Sequence, residues 1–299
     1  AQDISKPLES QHAAIVEVNA GPGLLMHLKP AKGKPQAVGE AIANHLFPLN
    51  EDFRIPVIGI SGETGKTLAS EMIAHFLRLT NVHVGLSSSK GLHFGNRSIK
   101  KTSDSDWENA RRTLLNRAVE LAVIENSNSS LLLEGLAYDQ CQVGIVLNVN
   151  PSALFPEHYI ADEDQLFNVM RTQIDVVLPG GVSILNGDDL LVVKMAELSK
   201  GEVMYFTENP NTNLITEHQE KNGRTIVSSP KKITLLLGKQ EKLVVEVPTS
   251  LKQYEKHEWP PHLSLAAALG AAWALNTPFN LMKAGIDTFV LNDNIPTEA

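Results

Sequence analysis

Two glycines, a lysine and a threonine fall close together in Gly62-Glu63-Thr64-Gly65-Lys66-Thr67. Residues of these types at this spacing can grip a polyphosphate. Glycines let backbone N–H groups turn inward, and a helix that starts there adds positive potential at its N-terminus. The lysine reaches phosphate oxygens and the threonine hydroxyl ligates Mg²⁺. The strict spacing of such loops has a further glycine at position 60, where this chain carries Ile60, and an ordinary strand-to-helix turn containing Gly-Lys-Thr is the competing reading. The flanks favour a nucleotide. An apolar run from Pro56 to Ser61 leads in, and Ala69, Met72, Ile73, Phe76 and Leu77 mark one face of a helix from Lys66 to Leu79. The expected cofactors are ATP and Mg²⁺, bound through Gly62, Gly65, Lys66 and Thr67.

Two other places carry groups of interest. Glu125 ends the buried run Leu121 to Glu125, at the strand end where open α/β sheets place ligands. A carboxylate there reads equally as an oxygen ligand for Mg²⁺ or as a solvated strand end. Leu185-Asn186-Gly187-Asp188-Asp189 follows another strand, and on spacing alone these are turn residues. Asp104 and Asp106 read as a helix cap and its neighbour, not as an acid–base pair.

These groups need a scaffold that brings strand ends together, and the chain predicts one. After Ile55, strands alternate with helices: strands at 56–61, 82–86, 121–125, 143–149, 182–185 and 203–206, helices at 66–79, 107–118, near Leu131, 164–176 and 190–198, and a small hairpin at 93–100. Strands near 225–228, 233–237 and 243–247, separated by polar turns, form an antiparallel section, and helices at 263–275 and 281–289 close the chain. This is an α/β fold, a mainly parallel P-loop sheet with helices on both faces plus a small antiparallel β section. Upstream, Ala14 to Asn19 reads as a short buried strand, Lys29 to Pro35 as a linker and Val38 to Leu46 as a short helix.

Composition narrows the class. The chain has 299 residues, a net charge of −8 and 42% apolar residues, ordinary for a globular protein and contrary to a nucleic-acid-carrying surface. Cys141 is the single cysteine, so neither a disulfide framework nor a cysteine zinc site can form, which fits a reducing cytoplasm. No apolar run reaches membrane-spanning length. The first residue is Ala1, within a polar stretch, which raises the expectation of a segment from a longer protein.

The stretch from Ile55 to Thr67 resembles the ATP loop of the Mur ligase family, usually Thr-Gly-Thr-Asn-Gly-Lys-Thr. The runs Glu134 to Asn148 and Gly181 to Asp189, with Tyr205-Phe206 after them, are similar to the Mur-ligase-like half of the cyanophycin synthetase family. Glu17 to His27 resembles the last strand of the ATP-grasp domain that precedes that half, where a Glu-x-Asn pair, here Glu17 and Asn19, ligates Mg²⁺. The resemblance implies four segments: 1–30, the end of an ATP-grasp domain; 31–54, a linker; 55–290, a Mur-ligase-like ATP-binding central domain; 291–299, the start of a C-terminal domain. It implies an ATP-dependent carboxylate–amine ligase that activates a carboxylate as an acyl phosphate for attack by an amino acid amine. Lys66 and Glu125 would be catalytic, Thr67 and Glu125 metal ligands, and Asn186 and Asp189 nucleotide ligands. The partners would be an amino acid or peptide substrate, with a homo-oligomer in the full-length protein.

Departures from the family's pattern bear on activity. The family's metal-binding histidine aligns with Ala153, with His158 nearby, and its lysine with Met170, beside Arg171. The Arg-Gly-Gly after its metal-binding glutamate is Asn128-Ser129-Ser130, the asparagine of its late helix is Ser264, and the asparagine of its loop is Thr64. A diverged paralogue that binds nucleotide weakly or acts structurally is therefore an alternative, and another P-loop ATPase or kinase is a third.

Overall fold

A computed structural model describes residues 3, 5–18, 20, 21, 23–46, 54–95, 97–100, 106–152, 154–254 and 259–290. The chain divides into two compact units, 1–54 and 55–299. In the first, a 3₁₀ turn at Glu9–Gln11 and helices Leu25–Leu28 and Val38–Leu46 bury none of their residues. Residues 14–18 form no strand; Val16 is 95% exposed. The expected buried strand is corrected here: an apolar run becomes a strand when a neighbouring strand takes its backbone hydrogen bonds, and residues 14–18 join no sheet among the described residues. Asn19, the second member of the Glu-x-Asn pair, lies outside the described residues.

The second unit is built on one sheet of eleven strands. They are β1 Val57–Ser61, β2 Val84–Ser88, β3 Gly91–Phe94, β4 Arg97–Lys100, β5 Leu121–Glu125, β6 Cys141–Val146, β7 Val177–Asn186, β8 Glu202–Thr207, β9 Arg224–Ser228, β10 Lys232–Leu237 and β11 Gln240–Glu246. The order across the sheet is β11-β10-β9-β8-β7-β6-β1-β5-β2-β3-β4. The seven strands from β9 to β2 pair in parallel, while β10, β11, β3 and β4 extend the two edges in antiparallel register. The parallel strands β1, β2 and β5 are buried along their whole length, as strands covered on both faces must be, which explains their continuous apolar runs.

Helices Lys66–Arg78 and Pro261–Ala274 share one core with the inward residues of β1, β2 and β5 to β11. Ala69, Met72, Ile73, Phe76 and Leu77 make the buried stripe of the first. The second is buried from Pro261 to Ala272, apolar all round because it has neighbours on every side. Helix Asp106–Leu115 packs on the opposite face through Ala110, and Leu131, Leu166, Ile174, Val192 and Ile215 bring five further short helices to that face. The helix expected at 164–176 is two, Glu163–Met170 and Thr172–Asp175, because the Ile174 N–H bonds to Arg171 O, three residues back, and tightens the turn.

The sheet order creates a crevice. From β1 the chain passes to β2, returns to insert β5 beside β1, then crosses to β6 on the other flank. Such a reversal marks where open α/β sheets bind ligands, outside the carboxyl ends of the strands.

Candidate functional site

The loop after β1 is shaped by its glycines and by an asparagine from the neighbouring strand. Gly65 caps helix Lys66–Arg78 with φ 86°, and Gly62 has φ 139°; side chains are strained at both positions. Neither has room for one. A Cβ on Gly62 would lie 3.1 Å from Leu147 Cβ, and one on Gly65 would run into the Trp259 indole. Asn148, just beyond β6, clamps the loop. Its Oδ1 accepts from the N–H groups of Glu63 and Thr64 at 2.8 and 3.0 Å, and its Nδ2 donates to Thr64 O at 3.0 Å. The N–H groups at the start of helix Lys66–Arg78 are left for an anion. From the other side, Ser264 Oγ donates to Gly65 O at 3.1 Å.

Lys66 Nζ folds onto the loop and donates to Gly62 O at 2.7 Å and Glu63 O at 3.1 Å. Burial pushes its pKa down, opposed by the charges of Glu125, Glu63 and Asp106. Carboxylates crowd this lysine, and a cation beside them would offset their charge when a polyphosphate binds.

Glu125, 6% exposed at the end of β5, meets Thr67 on the first turn of the loop helix. Thr67 Oγ1 donates to Glu125 Oε1 at 2.9 Å and lies 2.8 Å from Ser89 Oγ, while the Ser89 N–H donates to Glu125 Oε2 at 3.0 Å. Burial pushes the Glu125 carboxyl above its usual range, against the pull of the Ser89 N–H, Lys66 and Thr67. Three hard oxygens, one of them a carboxylate that burial disfavours as an anion, suit Mg²⁺, which would supply the offsetting charge.

Asn186, the last residue of β7, and Asp189, just beyond it, lie at the same carboxyl edge and are engaged with backbone. Asn186 Nδ2 donates to Leu147 O at 2.9 Å. Asp189 caps the helix Leu190–Lys194 through the N–H groups of Leu191 and Val192, and accepts from the Val149 N–H at 2.8 Å. The structure thus brings Gly62, Gly65, Lys66, Thr67 and Glu125 together, while Asn186 and Asp189 shape the adjoining turn.

The position that aligns with the family's lysine is otherwise employed. Met170 is fully buried among apolar side chains, and Arg171 pairs with Asp175 at 3.0 Å. His158 is exposed in a 3₁₀ turn, Pro156–His158, and Ala153 lies outside the described residues. Among the described residues no group of three or more His, Cys, Asp or Glu is placed to hold a metal. Asp104 is likewise outside them, and Asp106 Oδ2 accepts from the Ser127 N–H at 3.2 Å.

Sequence reasoning missed Ser89, Asn148 as a clamp, and Trp259. Ser89 had a signal, a serine run at the end of a buried strand, but using it needs the knowledge that β2 lies beside β5. A cavity of about 670 Å³ lies at the opposite edge of the sheet, near Glu202, Arg224, Trp273 and Phe279, and no loop residue lines it. There Arg224 is already held by Glu202 at 2.6 and 2.8 Å, so size alone does not mark the site.

Residues 60–248 match the family described as Mur ligase middle domain. The cyanophycin synthetase of Synechocystis sp. is 34% identical over 291 residues, covering 96% of this chain and 33% of that protein. A UDP-N-acetylmuramoyl-L-alanyl-D-glutamate--2,6-diaminopimelate ligase of Caldanaerobacter subterraneus is 26% identical over 168 residues, 54% of this chain and 33% of that protein. The chain spans about a third of the length of these relatives. A solved structure of a ligase with the same name superposes with a TM-score of 0.60 at 14% identity, over 84% of this chain and 49% of that one. No helix among the described residues is long and apolar enough to cross a membrane.

Proposed function

The chain belongs to the Mur ligase middle-domain family, and on that premise we propose that it is the nucleotide-binding part of an ATP-dependent carboxylate–amine ligase of the cyanophycin synthetase type. The carrying observation is the convergence of Thr67, Glu125 and Ser89 behind a phosphate loop that holds Lys66, at the crevice where the strand order reverses. Lys66 leaves the loop carbonyls for the β- and γ-phosphates of ATP, and the first N–H groups of helix Lys66–Arg78 take phosphate oxygens. Thr67 and Glu125 would hold Mg²⁺, which would supply positive charge to offset that of the phosphates. Asn186 and Asp189 close the nucleotide end of the site by fixing the turns beside it.

In the reaction, a substrate carboxylate oxygen attacks the γ-phosphorus and ADP leaves. The amine of an amino acid then attacks the acyl phosphate, releasing phosphate and forming the amide. The protein's part is positioning and charge neutralisation. The names of the relatives favour an amino acid or peptide substrate, the single cysteine fits a reducing cytoplasm, and the proposed full-length protein is a homo-oligomer. The similarity to these relatives also favours a ligase over another P-loop ATPase or kinase. Met170, buried at the place of the family's lysine, favours a second reading, in which nucleotide binds but is not turned over.

Calorimetric titration with ATP and Mg²⁺ tests the proposal. The wild type should bind in the micromolar range and Lys66→Ala should lose ~100-fold, about 2.7 kcal/mol. Equal binding by both proteins, or none by either, would overturn the phosphate-loop reading. Binding without ADP formation in the presence of carboxylate and amine substrates would establish the second reading.

A further inference from the structure

Behind Glu125 lies a group of buried polar side chains that the nucleotide chemistry does not touch. Asn126 follows Glu125, and strand alternation sends its side chain to the opposite face of the sheet. Its Nδ2 donates to Tyr138 Oη at 2.9 Å and to Gln173 Oε1 at 3.0 Å. The Tyr138 hydroxyl donates to the same Gln173 oxygen at 2.9 Å, and Gln173 Nε2 lies 3.7 Å from Cys141 Sγ. Asn126 is 4% exposed, Gln173 0% and Tyr138 9%.

This group occupies a notch in the sheet. A Cβ on Gly59 of β1 would overlap both the Tyr138 hydroxyl and the Gln173 amide, so the strand leading into the phosphate loop lacks a side chain where the network needs space. The Asn126 backbone N–H also donates to Ile60 O at 2.8 Å, next to the register pair Ile60↔Glu125. Asn126 is thus fixed through its main chain to β1 and through its side chain to segments on either side of β6. An apolar set of the same volume would fill this space without buried polar groups to satisfy. A hydrogen-bonded set instead specifies one geometry.

We propose that Asn126, held by Tyr138 and Gln173, is a positioning residue that fixes the end of β5 so that Glu125 presents its carboxylate to Mg²⁺ beside Thr67. This rests on the reading of Glu125 as a metal ligand. Partners of metal ligands that set ligand orientation typically govern 10–100-fold in metal affinity, and Asn126 acts in that way through the backbone.

The test is ATP binding by the full chain across a range of Mg²⁺ concentrations and in EDTA, for the wild type, Asn126→Ala and Tyr138→Phe, with the melting temperature of each protein measured without ligand. Asn126→Ala should need ~10-fold more Mg²⁺ for half-maximal enhancement of binding. Its affinity for ATP in EDTA, set by Lys66 and the loop, should stay within about twofold of wild type. Tyr138→Phe keeps the ring while removing two hydrogen bonds, from Asn126 Nδ2 and to Gln173 Oε1; it leaves the Asn126–Gln173 bond in place and should shift the Mg²⁺ requirement in the same direction by a smaller factor. A lowered melting temperature with an unchanged Mg²⁺ requirement in both variants would make the network a plain strut and overturn the proposal. Wild-type binding indifferent to Mg²⁺ would overturn the metal reading of Glu125, and the positioning role with it.

Discussion

Glu125 illustrates how a functional group costs stability. Its carboxyl is pushed up by burial despite the Ser89 N–H, Lys66 and Thr67 around it. A group whose pKa is higher in the folded than in the unfolded chain favours folding when protonated. That contribution is complete below the ordinary carboxylate range and is lost as pH rises through the folded pKa. At a pH above its folded pKa, the ligand-free protein therefore carries a charge its interior disfavours. Glutamine fits the same place, with Oε1 accepting from the Ser89 N–H and Nε2 donating to Thr67 Oγ1. Glu125→Gln should raise the ligand-free melting temperature at pH 7 by roughly 2–4 °C, or ~1 kcal/mol, while abolishing the Mg²⁺ enhancement of ATP binding. The stability gain should shrink as pH falls toward the ordinary carboxylate range, where the wild-type group is protonated as well. A variant less stable than wild type at pH 7 would show that the hydrogen bonds to the carboxylate outweigh its desolvation.

Among the elements, the phosphate loop depends on its neighbours as much as on its own residues. Asn148 holds Glu63 and Thr64 from β6 through three hydrogen bonds. Its truncation to alanine removes a clamp whose bonds are each worth about 1 kcal/mol net. Asn148→Ala should weaken ATP binding ~10-fold by loosening a preorganised loop, and hydrogen exchange at the Glu63 and Thr64 amides should accelerate while the interior of helix Lys66–Arg78 stays protected. Unchanged protection at those two amides would show that the Asn148 side chain is not what holds the loop. The loop helix itself was legible in the sequence, since Ala69, Met72, Ile73, Phe76 and Leu77 repeat at helical spacing and all five are buried. So were the inner strands, as short continuous apolar runs. What could not be read was pairing. That β5 inserts between β1 and β2, bringing Ser89 onto Glu125, is a non-local fact that no local pattern carries. Helix Asn213–Glu220 was missed because Ile215 is its one fully buried residue, too weak a stripe to show. Residues 14–18 failed in the other direction, apolar enough for a strand but with no neighbouring strand among the described residues.

For the whole molecule, the distribution of buried side chains separates the two units. All three apolar cores of the second unit draw on residues from Ile55 onward, whereas the helices of residues 1–54 bury none of theirs and Ile15, Val16 and Val18 are 71%, 95% and 87% exposed. Every hydrogen bond of the phosphate loop and of Glu125 described above also ends on a residue of the second unit. A unit of 245 residues, 55–299, with one continuous sheet is large enough to fold alone. If burial is what stabilises this protein, removing residues 1–54 should leave the melting temperature within about 2 °C of the full chain, no more than the shift expected for 1 kcal/mol, and the affinity for ATP and Mg²⁺ within about twofold, roughly 0.4 kcal/mol. Scanning calorimetry and titration of the shortened chain check both. A large loss of melting temperature would mean that the first unit supplies stability its exposed side chains do not reveal. Loss of affinity at constant melting temperature would instead assign residues 1–54 a part in the nucleotide site, and the ligase reading would then have to include a group from the first unit alongside Lys66 and Glu125.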